Sequence, residues 1–141
     1  MKKMAGVLAL AVILGACGMG SDDGIIVIGD RFFVLQMHDI FLNRQQHLGR
    51  TIQYEGIFRT IYWPPTGNYY NVVMRYTLSC CGEVPIGFDI IFSDYFFPLP
   101  PNHAWVEVTG VLEEYDGFLV VRAISLIEME DRGDGFVYFD W

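Results

Sequence analysis

Thr51-Ile52-Gln53-Tyr54-Glu55-Gly56-Ile57-Phe58 alternates residue by residue. Ile52, Tyr54, Gly56 and Phe58 fall on one side, and Thr51, Gln53, Glu55 and Ile57 on the other. Side chains of an extended chain point to opposite faces in turn, so this pattern predicts a half-buried strand. Gly56 has no side chain to pack and predicts a bend or bulge within it. Downstream, Trp63-Pro64-Pro65-Thr66-Gly67-Asn68 reads as a turn, because proline cannot extend a ladder and Gly-Asn tolerates positive φ. Tyr70, Val72, Met74, Tyr76 and Leu78 line one face of a second strand, and Val84, Ile86, Phe88, Ile90 and Phe92 one face of a third. Phe97-Pro98-Leu99-Pro100-Pro101-Asn102 is a stiff connector. Ala104, Val106, Val108, Gly110 and Leu112 mark a fourth strand, and Asp116-Gly117 is a hairpin signal. A fifth strand runs from Phe118 to Met129, with its inward face undetermined by the pattern. Five short strands punctuated by Gly and Pro predict a small closed or nearly closed barrel, which leaves few open edges.

Upstream the period changes. Val34, Leu35, Met37, Ile40, Phe41 and Leu48 give a one-sided helix over 33–47, with Asp39 and Asn43 on its polar side and Gly49 as its stop. Residues 24–29 are a short apolar run that reads as a first strand. The acidic stretch 130–135 is a tail, and the apolar residues 136–141 are expected to dock back.

The chain opens with Lys2 and Lys3, then an apolar run from Met4 to Leu14. A bilayer-spanning helix needs about 20 apolar residues, and this run has the length of a secretory signal instead. It ends in Leu14-Gly15-Ala16-Cys17, the lipobox pattern, in which the cysteine thiol takes a diacylglycerol before cleavage. Residues 1–16 are therefore expected to be a lipoprotein signal peptide. Residues 17–24 are the lipidated Cys17 and a Gly- and Ser-containing tether, and 25–141 are the folded domain. The expected address is the cell membrane, lipid-anchored on its extracytoplasmic face.

Lys2 and Lys3 are the only lysines, so their removal leaves seven basic against 17 acidic residues, a net charge of −10. Such a surface repels polyanions, and nucleic acid is not an expected partner. The sequence carries no Ser-His-Asp pattern, no HExxH, no phosphate-cradling glycine loop and no dinucleotide fingerprint, so no enzyme activity is expected.

Four motifs in order carry a family resemblance. Gly49-Arg50-Thr51-Ile52 leads to Glu55-Gly56-Ile57-Phe58, like the opening strand of an OB-fold. Arg75-Tyr76-Thr77-Leu78-Ser79-Cys80-Cys81 is similar to an R-x-x-I-x-C-C signature. Trp105-Val106-Glu107-Val108-Thr109-Gly110 resembles a W-V-x-V-x-G strand, and Phe136-Val137-Tyr138 a closing Y-V-Y. Together, over roughly residues 32–139, they resemble the C-terminal domain of the YcgQ-like family of permease subunits, whose function is uncharacterised. The resemblance implies a mainly β, five-stranded OB-fold-like barrel preceded by a short helix, and a permease-type membrane partner. Relatives carry the domain behind transmembrane helices, where this chain has a lipobox. Their motif continues past Cys-Cys with an Asp that Gly82-Glu83-Val84-Pro85 lacks.

Cys80-Cys81 is the most unusual feature for chemistry. With Cys17 assigned to lipid, the pair has no other cysteine to bridge. Three readings stand open: thiols at a strand end, one inward and one outward; a strained, readily reduced vicinal disulfide, which would carry a thiol-redox role; or soft ligands for zinc or copper, assisted by Glu83 and His103. His38, His47 and Asp89 are further candidate ligands. Trp63, Tyr70, Arg75 and Trp105, with Tyr69 and Tyr76, are candidates for a ligand or partner face.

Overall fold

The computed structural model describes residues 24–93 and 98–138, so the expectations for Cys17 and the signal and tether up to residue 23 lie outside the described residues. Strand β1 (Ile26–Val27) is followed by a 3-10 turn (Asp30–Phe32) and helices α1 (Phe33–Leu42) and α2 (Arg44–His47). Five long strands then follow: β2 (Thr51–Trp63), β3 (Asn68–Ser79), β4 (Gly82–Phe92), β5 (Trp105–Tyr115) and β6 (Phe118–Glu128). They pair in the order β2-β3-β4-β6-β5, and β5 returns to β2, closing a five-stranded barrel with β1 as an extra strand. The mainly β barrel with a short helix before it is what the pattern predicted.

Closure depends on β2, which serves two neighbours in sequence. Thr51 to Ile57 pair with β5, and Ile57 to Trp63 pair with β3. The switch falls at Gly56–Ile57, the bend the sequence predicted. A Cβ on Gly56 would come within 2.9 Å of the Met74 carbonyl oxygen, so only glycine lets β3 approach there. Gly87 has the same role on β4, where a Cβ would overlap the Val73 carbonyl oxygen.

Inside, Ile52, Tyr54, Phe58, Val73, Phe88, Val106, Val108, Leu112 and Val121 form one core with Phe33, Val34, Met37 and Ile40 of α1. The helix thus closes the end of the barrel at which β2 begins. The Tyr54 hydroxyl donates to the Val73 carbonyl at 2.8 Å and accepts from the Phe88 amide at 3.3 Å, tying three strands together. Complete burial pushes its ionisation far above the ordinary tyrosine range.

Three readings need correction. The helix over 33–47 is two pieces, because the Asn43 side chain donates to Asp39 Oδ1 at 2.7 Å and its backbone leaves the helical region. On β3 the face carrying Val72 and Met74 is not the core face. Val73 points to the core, while Val72 and Met74 are shielded on the other side, so both faces are buried and the alternation misleads. On β6 the inward parity changes partway. Thr109 pairs with Ser125 but Gly110 with Ala123, leaving Ile124 as an extra, exposed residue. Leu119, Val121 and Ala123 point inward before this bulge and Leu126 after it, which is why no single alternation fits β6.

Candidate functional site

Beyond Met74, β3 parts from β2, and both freed edges are taken up. β1 runs parallel to β2, with Ile26 opposite Ile52. The C-terminal segment bridges to β3: the Tyr76 amide donates to the Gly135 carbonyl and the Val137 amide to the Tyr76 carbonyl, both at 2.8 Å. Arg75 lies in this seam, 1% exposed. Its Nε donates to the Glu55 carbonyl and its Nη1 to Asp30 Oδ1, both at 2.7 Å. The guanidinium carbon sits 4.5 Å from the Phe33 ring centre and 4.9 Å from that of Trp105. Trp105 in turn donates from Nε1 to Glu55 Oε2 at 2.8 Å, and its ring is covered by Gly133.

This geometry divides the set of candidate face residues. Arg75 and Trp105, at 1% and 3% exposed, join the seam and offer no surface to a ligand. Trp63 and Tyr70 lie elsewhere, on the hairpin that joins β2 to β3, where Trp63 is exposed and Tyr70 half-buried. A buried arginine stacked between two rings clamps the fold, and nothing in the residues around position 75 signals its burial.

Cys80 and Cys81 form the two-residue turn between β3 and β4, closed by the Ser79–Gly82 pair. Gly82 adopts φ +121°, and the Cys81 amide donates to the Ser79 hydroxyl at 3.2 Å. Both cysteines are free and exposed, with 3.4 Å between their sulfurs. Of the three open readings, the one with thiols at a strand end keeps free thiols but not one inward and one outward: the turn presents both to solvent. Glu83 is exposed on β4 beside the turn. His103 is not near it in the fold. It precedes β5 at the opposite end of the barrel, with φ 73° and its amide donating to the Phe58 carbonyl. Among the described residues no three His, Cys, Asp or Glu side chains gather as a metal site, so the set Cys80, Cys81, Glu83 and His103 is not assembled within one chain.

The sequence missed one concavity. A groove of about 390 Å³ lies between β1 and the helices, walled by Ile26, Phe32, Leu35 and Ile40, with Gln36, Asp39 and His47 as its polar groups. His47 Nε2 lies 2.8 Å from Asp39 Oδ2, and His47 Nδ1 is buried without a partner. The hydrogen bonds from Asn43 and His47 hold the Asp39 carboxyl below its usual range. Gln36 occupies the free edge of β1, accepting from the Gly29 amide and donating to the Val27 carbonyl. Asp39 and His47 are eight residues apart on two helix pieces, so only the break at Asn43 brings them together.

Residues 16–138 match the DUF1980 C-terminal domain. The chain belongs to that family. No curated protein matches it. The match covers the barrel, the helices and the C-terminal bridge to Tyr76, so in this DUF1980 C-terminal domain the seam around Arg75 is part of the matched unit.

Proposed function

We propose that this protein is a membrane-anchored, extracytoplasmic accessory or binding lipoprotein that works beside a permease-type transport partner, in the manner the YcgQ-like resemblance implies. The observation that carries the reading is Leu14-Gly15-Ala16-Cys17 at the very start of the residues, 16–138, that match the DUF1980 C-terminal domain. An acylated Cys17 would hold the barrel at the surface where relatives hold theirs by transmembrane helices. Two or three acyl chains make such anchoring stable, whereas one is marginal. The strand order, 1-2-3-5-4-1 when counted from β2, supports an OB-like reading of the barrel, a fold whose strand faces and loops commonly bind other molecules. Affinity purification from membranes after in-cell crosslinking tests the partnership. A reproducible integral-membrane protein is the expected result; isolation of the chain alone under the same crosslinking contradicts it.

Cys80 and Cys81 support a second reading, capture of zinc or copper. Two exposed thiols 3.4 Å apart are a soft donor pair, and the remaining ligands would come from a partner or a second molecule. Bound metal under reducing conditions is expected to disappear when both become serine. Equal metal content in the wild type and the double variant contradicts it.

A further inference from the structure

From Thr60 to Asn71 the chain carries no charged residue, in a protein whose net charge is −8. The stretch reads Thr-Ile-Tyr-Trp-Pro-Pro-Thr-Gly-Asn-Tyr-Tyr-Asn and forms the outer part of the β2–β3 hairpin. Among the described residues it extends beyond the barrel as a two-stranded ribbon: the last bonds from β2 to the β4–β5 connection are made there by Phe58 and Thr60, and pairing of β3 with β4 begins at Asn71. Tyr69 is 71% exposed, Trp63 53%, Tyr62 50% and Ile61 36%. Tyr62 and Tyr69 stack across one face of the ribbon at 5.1 Å, while Ile61 and Trp63 belong to the other.

We propose that this arm inserts into the headgroup region of a lipid bilayer. The arm carries aromatic side chains on both faces, which suits a medium that surrounds it. Tryptophan and tyrosine favour the boundary between water and hydrocarbon, where the ring is buried and the polar atom stays wet. The turn is also inexpensive to desolvate. Pro64 and Pro65 have no N–H, the Thr66 and Gly67 amides donate to the Trp63 carbonyl at 3.2 and 3.0 Å, and the Asn68 amide donates to the Thr66 hydroxyl at 3.4 Å. The outer edges of the ribbon have no strand partner among the described residues, and this limits insertion to interfacial depth. The net charge of −8 opposes attraction to anionic lipid, so the interface proposed is a zwitterionic one.

The proposal rests on the lipid-anchored reading and adds an orientation to it. β1 is parallel to β2 with Ile26 opposite Ile52, so the tether enters at the end of the barrel opposite the arm. Residues 17–24 reach at most about 25 Å when extended. From Ile52 to Trp63 a straight strand covers about 36 Å. Anchor and arm therefore meet one bilayer when the barrel lies with its long axis along the membrane.

The test uses the full protein, purified from membranes and reconstituted into phosphatidylcholine vesicles with brominated or ordinary acyl chains. Flotation reads the anchor, and tryptophan emission reads the arm, with Trp63→Phe isolating the Trp63 component. Bromolipid is expected to reduce Trp63 emission about twofold, as for an interfacial indole. Tyr69→Glu, at an exposed position that leaves the fold intact, is expected to keep flotation and abolish the quenching. Floating protein with Trp63 emission equal in both vesicles overturns the proposal, as does a photo-crosslinker at position 69 that captures protein instead of lipid in cells. Failure to float, with Cys17 unacylated, refutes the anchor instead. Excess vesicles are then added to the same protein, and unquenched Trp63 overturns the arm as well.

Discussion

Arg75 is the residue on which the barrel seam turns. Burying a guanidinium is costly unless its donors and faces are occupied, and here the Glu55 carbonyl, Asp30 and two aromatic rings occupy them. Arg75→Met removes the charge but strands the Glu55 carbonyl and takes away the guanidinium that lies against both Phe33 and Trp105. A loss of about 2–4 kcal/mol in urea unfolding is expected, near the range for breaking a buried charged network. Asp30 is mostly solvent-exposed, so Asp30→Asn is expected to cost less than about 1 kcal/mol, as exposed ion pairs do. A larger loss from Asp30→Asn than from Arg75→Met would overturn this ranking. Burial holds the half-buried Asp89 carboxyl above its usual value. The folded protein then binds that proton more tightly than the unfolded chain, so stability falls as pH rises from 3.8 through the raised value. Asp89→Asn is expected to raise the unfolding midpoint at pH 7, and the advantage should vanish below the ordinary carboxylate range. At this scale the sequence was least informative. Arg75 and Trp105 look like ligand residues in a one-dimensional reading, because nothing in their neighbours signals that residues 133–137 cover them.

At the scale of elements, glycines and irregularities shape the barrel more than strand propensity does. Gly87 lies against the backbone of Val73 and Met74 with no space for a side chain. Gly87→Ala is expected to destabilise by about 1–3 kcal/mol through overpacking, and thermal melting checks it. An equal substitution at Gly29, where a Cβ meets nothing within 4 Å, is expected to be close to neutral. The strands of β2, β4 and β5 were legible because each has one face in the core and one in water. β3 was misleading because both its faces are buried between Val72 and Arg75, and β6 because the bulge at Ile124 reverses its parity. The groove holding Asp39 and His47 was invisible because it requires the helix to break at Asn43.

For the whole molecule, closure of β5 onto β2 accounts for the fold, and the sequence foresaw it from strand count and punctuation. The candidate site was less legible, because its members come from distant segments. Cys80 and Cys81 share one end of the barrel with the tether, whereas His103 and the aromatic arm occupy the other. The chemistry of the thiols and that of the arm are thus separable, and replacing both cysteines with serine is expected to leave stability within about 0.5 kcal/mol, as for exposed turn residues. The proposed function depends first on the anchor. Mass spectrometry of the protein isolated from native membranes reads it directly. An N-terminus beginning at Cys17, with a diacylglyceryl thioether on its sulfur, is the expected result. A chain from the same membranes that retains residues 1–16, or that begins elsewhere with an unmodified Cys17 thiol, would contradict it.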